Sequence, residues 1–429
     1  MKKLLLVSLG CAKNTVDSET ILSFFVRNNF KIVINPNEAD VIVINTCGFI
    51  LSSKQESLDT IFKYAKYNKK LVVVGCLVER YLEDLKESIP EVDLFIPIRD
   101  YPKMASLVKS LFKDEIENEY NPYYRIYSTA PFTGYLKISD GCDNRCAYCA
   151  IPLIRGPFKS IEKEILLDQA RHMASKGIKE LVIISQDTSK YGTDIYEDYK
   201  IQNLLIDLLK LNLFTSIRLL YLYSYEVTDE LLDVIYQNSD IIAPYFDIPI
   251  QHASDKMLTL MNRKDKKEDI INLITKIRTK FNKSIIRTTL IVGFPNESEE
   301  DFEELNSFIE TYHFDHLGVF AYSKEEGTTG DLMDNQIDED VKNDRRDKIM
   351  KTQSKISYLL NKKHIGEVMD GIVVSKVKGN TYLIRTYFNA PDDIDGNIYV
   401  KYDKSLEIGE NVKIKITSCS IYDLEGEIL

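Results

Sequence analysis

Cys142, Cys146 and Cys149 lie in the run SDGCDNRCAYCAIP, a C-x3-C-x2-C spacing. Three closely spaced thiolates can hold three irons of a 4Fe-4S cluster and leave the fourth iron without a protein ligand. An open iron can bind a small molecule, so such a cluster can do chemistry as well as carry electrons. Two plainer readings compete. A structural zinc site takes four ligands, commonly Cys dyads with His, and the histidine closest to the run is His172, well downstream. A disulfide with a spare thiol suits an oxidising compartment, whereas this chain carries an odd number of cysteines, seven, and no secretion signal.

Three further cysteines are dispersed through the first hundred residues: Cys11 in SLGCAKN, Cys47 in NTCGFI and Cys76 in VGCLVER. Each directly follows an apolar strand-like run, and each adjoins a glycine, Gly10, Gly48 or Gly75. In an open α/β sheet the C-terminal strand ends face one crevice, so three thiols on separate strands can converge on a second cluster. The glycines would let backbone pack closely against an inorganic core. The competing reading is three buried core cysteines. Cys419 has no such partner and reads as structural.

The elements that must position these residues follow from periodicity. Residues 1–112 alternate short apolar strands (KLLLVSL, DVIVINT, LVVVG) with amphipathic helices, which predicts a parallel sheet with helices on its faces. Residues 113–131 are acidic, tyrosine-rich and without period, and read as a linker. Residues 132–363 form a second α/β series with six strand runs: GYLKIS, ELVIIS, IRLLYLY, YFDIPI, IIRTTLIVG and HLGVFAY. Six repeats predict a partial or full (β/α) barrel with reactive groups at the strand C-termini, where the C-x3-C-x2-C run falls. A charged helix over about 337–363 closes this unit. Residues 364–429 change to β-branched and aromatic runs between Gly, Asn and Asp turns, a small all-β barrel.

Length and composition set looser bounds. A chain of 429 residues accommodates several domains. A net charge of -11 gives no global field for a polyanion. MKKLLLVSLGC resembles a lipoprotein signal, but its apolar stretch is short and Ser8 stands where a lipid-attachment box wants an aliphatic residue, so a buried strand is expected. No apolar run approaches the roughly 18 residues of a membrane span. A cytoplasmic protein, with reduced thiols free to bind metal, is the expectation.

With both triads placed, the whole chain resembles the radical S-adenosylmethionine (radical SAM) methylthiotransferases. The resemblance implies an N-terminal cluster domain, a radical SAM barrel and a C-terminal TRAM domain. It also implies two 4Fe-4S clusters, with S-adenosylmethionine as both the source of a 5'-deoxyadenosyl radical and the methyl donor. The runs SLGCAKNTVDSE, NTCGFI, GCLVERY, IPIQHAS and GVFAYSKEEGT are similar to the RimO-type branch, which methylthiolates the β-carbon of an aspartate in small-subunit ribosomal protein S-twelve. The sister MiaB-like branch modifies an adenosine in tRNA and typically shows GCQMN-like and QSGS runs instead. The chain departs from the RimO-type pattern at Ile161, Asn296 and Thr329, where Arg, Gly and Pro are more usual.

Charge offers a separate argument for the branch. From Gly366 onward there are 11 Asp or Glu against 7 Lys or Arg, a net of -4. A domain that grips tRNA should be basic, whereas an acidic one suits a basic ribosomal protein; an ordinary solvated surface is the plain alternative. The resemblance further implies a reductant such as flavodoxin or ferredoxin, a sulfur donor, no tRNA substrate, no membrane and a monomer. A non-catalytic two-cluster redox protein is the reading from another class.

Other polar residues fall where a barrel binds ligands. Tyr148 sits inside the cysteine loop. Gln186 and Asp187 follow the second barrel strand, Arg218 lies on the third, Gln251 and His252 follow the fourth, and Arg287 and Thr289 lie on the fifth. Each is a candidate contact for S-adenosylmethionine or substrate; the alternative for each is a satisfied buried polar group. His313 and His316 read as structural. The acidic runs EDFEE and DEDVKNDRRDK read as solvated helix faces.

Overall fold

The protein is described by a computed structural model covering residues 1–112, 116–391 and 394–429. The N-terminal unit is a parallel sheet of β1 (Lys3–Ser8), β2 (Lys31–Ile32), β3 (Val41–Thr46), β4 (Lys70–Gly75) and β5 (Leu94–Ile96). Its order is β2-β1-β3-β4-β5. The whole of β3, VIVINT, is buried, because helices cover both faces of a parallel sheet. Three of those helices are α1 (Ala12–Arg27), α2 (Leu51–Ala65) and α3 (Cys76–Ser88). Strand order reverses between β1 and β3, the topological switch point where such sheets open a crevice. The short strands β2 and β5 had no legible period in the sequence; pairing with β1 and β4 defines them.

The central unit holds β6 (Thr133–Lys137), a two-stranded ribbon of β7 (Ser139–Asp140) and β8 (Lys159–Ser160), and then β9 (Glu180–Ile184), β10 (Ser216–Leu219), β11 (Tyr245–Asp247), β12 (Ile285–Val292) and β13 (His316–Ala321). Two parallel sheets, β10-β9-β6 and β11-β12-β13, are joined by a bridge between Ile217 and Ile242 and by the Leu222 amide, which donates to the Asp247 carbonyl of β11 at 2.8 Å. Among the described residues no pairing joins β6 to β13, so the barrel is partial. Side chains alternate between the two faces of the strands. Leu181, Ile183, Ile217, Leu219 and Ile286 pack outward under the helices. Tyr135, Val182, Ile184, Leu220 and Tyr245 point inward.

The C-terminal unit is a closed barrel of β14 (Val368–Lys378), β15 (Thr381–Arg385), β16 (Ile398–Lys401), β17 (Asn411–Cys419) and β18 (Leu424–Ile428), in the order β14-β15-β16-β18-β17. The sequence marks four of these strands. LEGEI of β18 carries two acids and a glycine, and only its pairing with β16 and β17 makes it a strand. This barrel shares one apolar core with the inward face of the central unit and with Ala12 and Val16 of α1.

Segment 116–131 is irregular, as its composition predicts; the first three residues of the expected linker, 113–115, lie outside the described residues. It is nonetheless pinned. Buried Arg125 pairs with buried Glu19 of α1 at 2.5 Å and donates to the Tyr135 carbonyl at 2.6 Å. The long helix Glu339–Lys363 is largely exposed, but Lys342 and Arg345 within DEDVKNDRRDK are buried, Arg345 on Glu297 at 2.9 Å. Asp301 of EDFEE is also buried, bonded to Ser254 and Lys256. These residues correct the expectation of solvated faces. His316 Nε2 donates to the Phe388 carbonyl at 2.8 Å, a structural role. Among the described residues no helix is long and apolar enough to cross a membrane.

Candidate functional site

The chain leaves β1, β3 and β4 at Cys11, Cys47 and Cys76. Register places these exits side by side, with Ser8 opposite Asn45 and Thr46 opposite Gly75. Cys11 caps α1 and Cys76 opens α3, so both thiols sit at helix N-termini. Cys47 is fixed through Ser57, whose hydroxyl accepts from the Cys47 amide at 3.0 Å and donates to its carbonyl at 2.9 Å. A Cβ on Gly10, which has φ +88, would stand 3.0 Å from the Cys47 Cβ, and one on Gly48 would meet the Leu77 backbone at 2.7 Å. These glycines let the strand ends pack closely on each other.

Cys142, Cys146 and Cys149 occupy one loop between β7 and the short helix Ile151–Arg155. The Cys149 amide donates to the Cys146 carbonyl at 3.0 Å and the Ala147 amide to the Met261 carbonyl at 2.9 Å. Arg145 takes φ +48, and its carbonyl accepts from Asn262 at 2.9 Å. Asn144 donates to Asp187 at 2.8 Å.

Both triads line one cavity of about 570 Å³ between the N-terminal sheet and the mouth of the partial barrel. Tyr148, Gln186, Gln251, Arg287 and Thr289 line it too. Asp187 and Arg218 do not. Asp187 is buried beneath the cysteine loop, held by Asn144 and Ser189, and so shapes the loop. Arg218 points toward the opposite end, donating to the Thr386 carbonyl of the C-terminal barrel at 2.7 Å beside Glu180. It lines a different cleft of about 1180 Å³ that no cysteine reaches. A strand residue's type cannot say which end of the barrel its side chain faces.

The structure adds residues that the sequence did not single out. Arg155 is buried, with its guanidinium on Asp17 at 2.6 Å, Asn14 at 2.8 Å and the Cys76 sulfur at 3.5 Å. It ties the barrel to the N-terminal unit between the triads. Arg263 pairs with Asp265 at 2.9 Å and stacks 4.1 Å from the Tyr223 ring centroid. Lys13 and Asn14 stand in the quoted SLGCAKN run; Asn14 bridges the carbonyls of Leu9 and Thr46 at 3.0 Å each. The nearest sequence signal for Arg155 was its position shortly after Cys149.

Burial raises the Cys76 and Cys142 thiols to about 11 and raises Cys47 and Cys149 as well. Metal binding must therefore displace protons; Arg155 beside Cys76 eases that loss. Burial draws the Lys13 ammonium below its ordinary value. Among the described residues no three His, Cys, Asp or Glu side chains converge tightly enough for a single ion. The thiols instead surround a space, as a four-iron core of several Å needs. Buried Gln186 Oε1, on the cavity wall, has no hydrogen-bond partner among the described residues. Six thiols, an orphaned acceptor and no lining carboxylate fit iron–sulfur clusters and a polar cofactor better than a hard cation.

Residues 136–309 match the Radical SAM superfamily, 3–97 the Uncharacterized protein family UPF0004 and 365–429 the TRAM domain. The fold and site thus define a radical SAM enzyme with a TRAM barrel. Solved structures of similar fold include the radical S-adenosylmethionine methyltransferase TsrM from Kitasatospora setae, with TM-score 0.58, 12% identity and coverage of 88% of this chain and 79% of that one. The cobalamin-dependent S-adenosylmethionine radical enzyme OxsB follows with TM-score 0.53, 16% identity and coverage of 83% and 56%. A curated relative from Clostridioides difficile (strain 630), ribosomal protein uS12 methylthiotransferase RimO, is 44% identical, covering 100% of this chain and 99% of the relative. The protein of that name from Alkaliphilus oremlandii (strain OhILAs) is 46% identical, covering 98% of each. The chain belongs to the RimO family of radical SAM methylthiotransferases, and is a transferase.

Proposed function

We propose that the protein methylthiolates the β-carbon of an aspartate in small-subunit ribosomal protein uS12, with two 4Fe-4S clusters and with S-adenosylmethionine as radical source and methyl donor. The observation that carries this reading is one cavity walled by six cysteines in two separate triads. The names of the full-length relatives support the substrate. Cys142, Cys146 and Cys149 would hold one cluster, and Cys11, Cys47 and Cys76 the other. When bound, these clusters and S-adenosylmethionine supply hydrogen abstraction and the sulfur and methyl that are transferred.

The chain's own residues position and shield. Gln186, Gln251 and Thr289 offer polar contacts to S-adenosylmethionine, and Tyr148 a ring against its adenine. Ile151, Ile154 and Ile291 give the cavity apolar wall that keeps water from a radical. A reductant such as flavodoxin or ferredoxin and a sulfur donor complete the partners; the substrate is met on the ribosomal subunit by a monomeric enzyme in the cytoplasm. Anaerobically reconstituted protein with S-adenosylmethionine, dithionite and sulfide should release 5'-deoxyadenosine and add a methylthio mass to uS12. Modification of tRNA but not of uS12 would overturn the assignment.

A further inference from the structure

Four cations line the cavity, Lys13, Arg155, Arg263 and Arg287, and no carboxylate does. The fold neutralises three of them. Arg155 meets Asp17 at 2.6 Å, Arg263 meets Asp265 at 2.9 Å, and Arg287 meets Asp247 at 2.8 Å and Asp395 at 3.3 Å. Lys13 differs. It is only 8% exposed, and among the described residues it forms no ion pair. Its Nζ stands 3.0 Å from the centroid of the Tyr221 ring. A ring face offsets part of the cost of burying an ammonium, but not as a carboxylate would.

Position adds to this. Lys13 is in the first turn of α1, just after Cys11, whereas Tyr221 belongs to the barrel mouth. The ammonium therefore lies where the two cysteine-bearing units meet. Tyr221 holds its place through a left-handed backbone, φ +63, whose amide donates to Asp247 at 2.9 Å and whose carbonyl accepts from Thr188 at 3.0 Å. A backbone in that region costs free energy and persists only where its surroundings hold it.

We propose that Lys13 is the recognition cation for the carboxylate of the side chain being modified. This rests on the aspartate reading above. In an aspartate the reacting β-carbon is bonded directly to the carboxylate carbon. A carboxylate anchored about 2.8 Å from Nζ therefore confines the reacting carbon to a small volume between the triads. An asparagine at the same place brings no countercharge and leaves the ammonium buried without one.

The test uses the anaerobically reconstituted full chain with two synthetic peptides of the uS12 target loop, one with Asp and one with Asn at the modified position. A hydrogen bond between charged groups is worth about 1.5–3 kcal/mol, so the wild type should favour Asp by about 10- to 100-fold in kcat/KM. Lys13→Gln should lower kcat/KM for the Asp peptide by a similar factor, mainly through KM, and bring the Asp-to-Asn ratio near one. Lys13→Arg, which keeps the charge, should retain a preference for Asp even if the glutamine variant loads iron poorly. Lys109→Gln, on an exposed helix face, should change neither value. Iron content and cluster absorbance are recorded for every variant. A loaded Lys13→Gln enzyme that still prefers Asp overturns the proposal. So does a loss of peptide-free S-adenosylmethionine binding as large as the loss of peptide turnover, which would assign Lys13 to the cofactor. A wild type that modifies neither peptide overturns the aspartate reading, and the role of Lys13 with it.

Discussion

The two cysteine triads reach one cavity by opposite routes. Cys142, Cys146 and Cys149 share a single loop whose shape is set by side-chain and turn hydrogen bonds, from Asn144 to Asp187 and from Asn262 to the Arg145 carbonyl. Cys11, Cys47 and Cys76 come from three strand ends, and sheet register alone aligns them. A slip of one residue between β1 and β3 would move Cys47 by about 3.3 Å along the strand and turn its neighbours to the other face. The first triad thus depends on local geometry and the second on global geometry. The loop triad is therefore expected to be most sensitive to changes in its own bonds, and the strand-end triad to changes in how the strand ends pack.

The largest expected effect separates the triads by function. Cys142→Ala should reduce 5'-deoxyadenosine release to background, whereas Cys47→Ala should still release it and form no methylthiolated product; each should lose about four irons per chain. Normal cleavage by both variants would dissolve the division of labour. Next comes the residue that joins the two regions. Arg155→Ala removes one of the two cations on the buried Asp17 carboxylate, leaving Lys137 at 2.8 Å, and should cost about 1–3 kcal/mol, read as a lower denaturation midpoint of the metal-free protein. A midpoint unchanged within error would show that the triads are not coupled through this pair.

Two further substitutions probe each triad alone. Asn144→Ala removes a bond to buried Asp187, and Gly10→Ala forces a Cβ against Cys47 at positive φ; each should cost about 1–3 kcal/mol. The first should lower cluster occupancy at the loop and the second at the strand ends, as Mössbauer or EPR spectra of singly loaded variants would show. Equal losses at both sites would erase the local–global distinction. The smallest effect is one of pH and belongs to the barrel half. Burial lowers His252 to about 3 from 6.5; its Nδ1 accepts from the Ser254 amide and its Nε2 has no hydrogen-bond partner among the described residues. The unfolded chain therefore takes up this proton before the folded one does. Its contribution to stability is whole above pH 6.5 and is lost as pH falls toward 3, at up to about 1.4 kcal/mol per pH unit. Chemical denaturation at pH 7 and pH 5.5 should show a smaller decline for His252→Gln than for the wild type.

Much of the site was legible because its chemistry is carried by cysteine spacing and strand endings. Three strand-like runs each ending in Gly–Cys, Cys–Gly or a like pair already placed the dispersed thiols on one sheet edge. What local sequence does not reveal is polar and long-range. Arg155 has no periodic signature; its value comes from Asp17, far away in the chain. Arg218 looked like a rim residue until the C-terminal barrel offered its Thr386 carbonyl. Asp301 and Arg345 looked solvated because helix periodicity shows charge but not what packs over it.

The sequence by itself determined the six thiols, their division into a clustered and a dispersed set, and the order of α/β, α/β and all-β units, since these follow from residue type and local period. Only the tertiary structure decided that both triads wall one cavity, that Arg155 joins them there, and that Lys13 alone among the lining cations is left without a carboxylate. Those facts depend on which distant side chains meet, and burial makes each missing or added countercharge count for far more than it would in water.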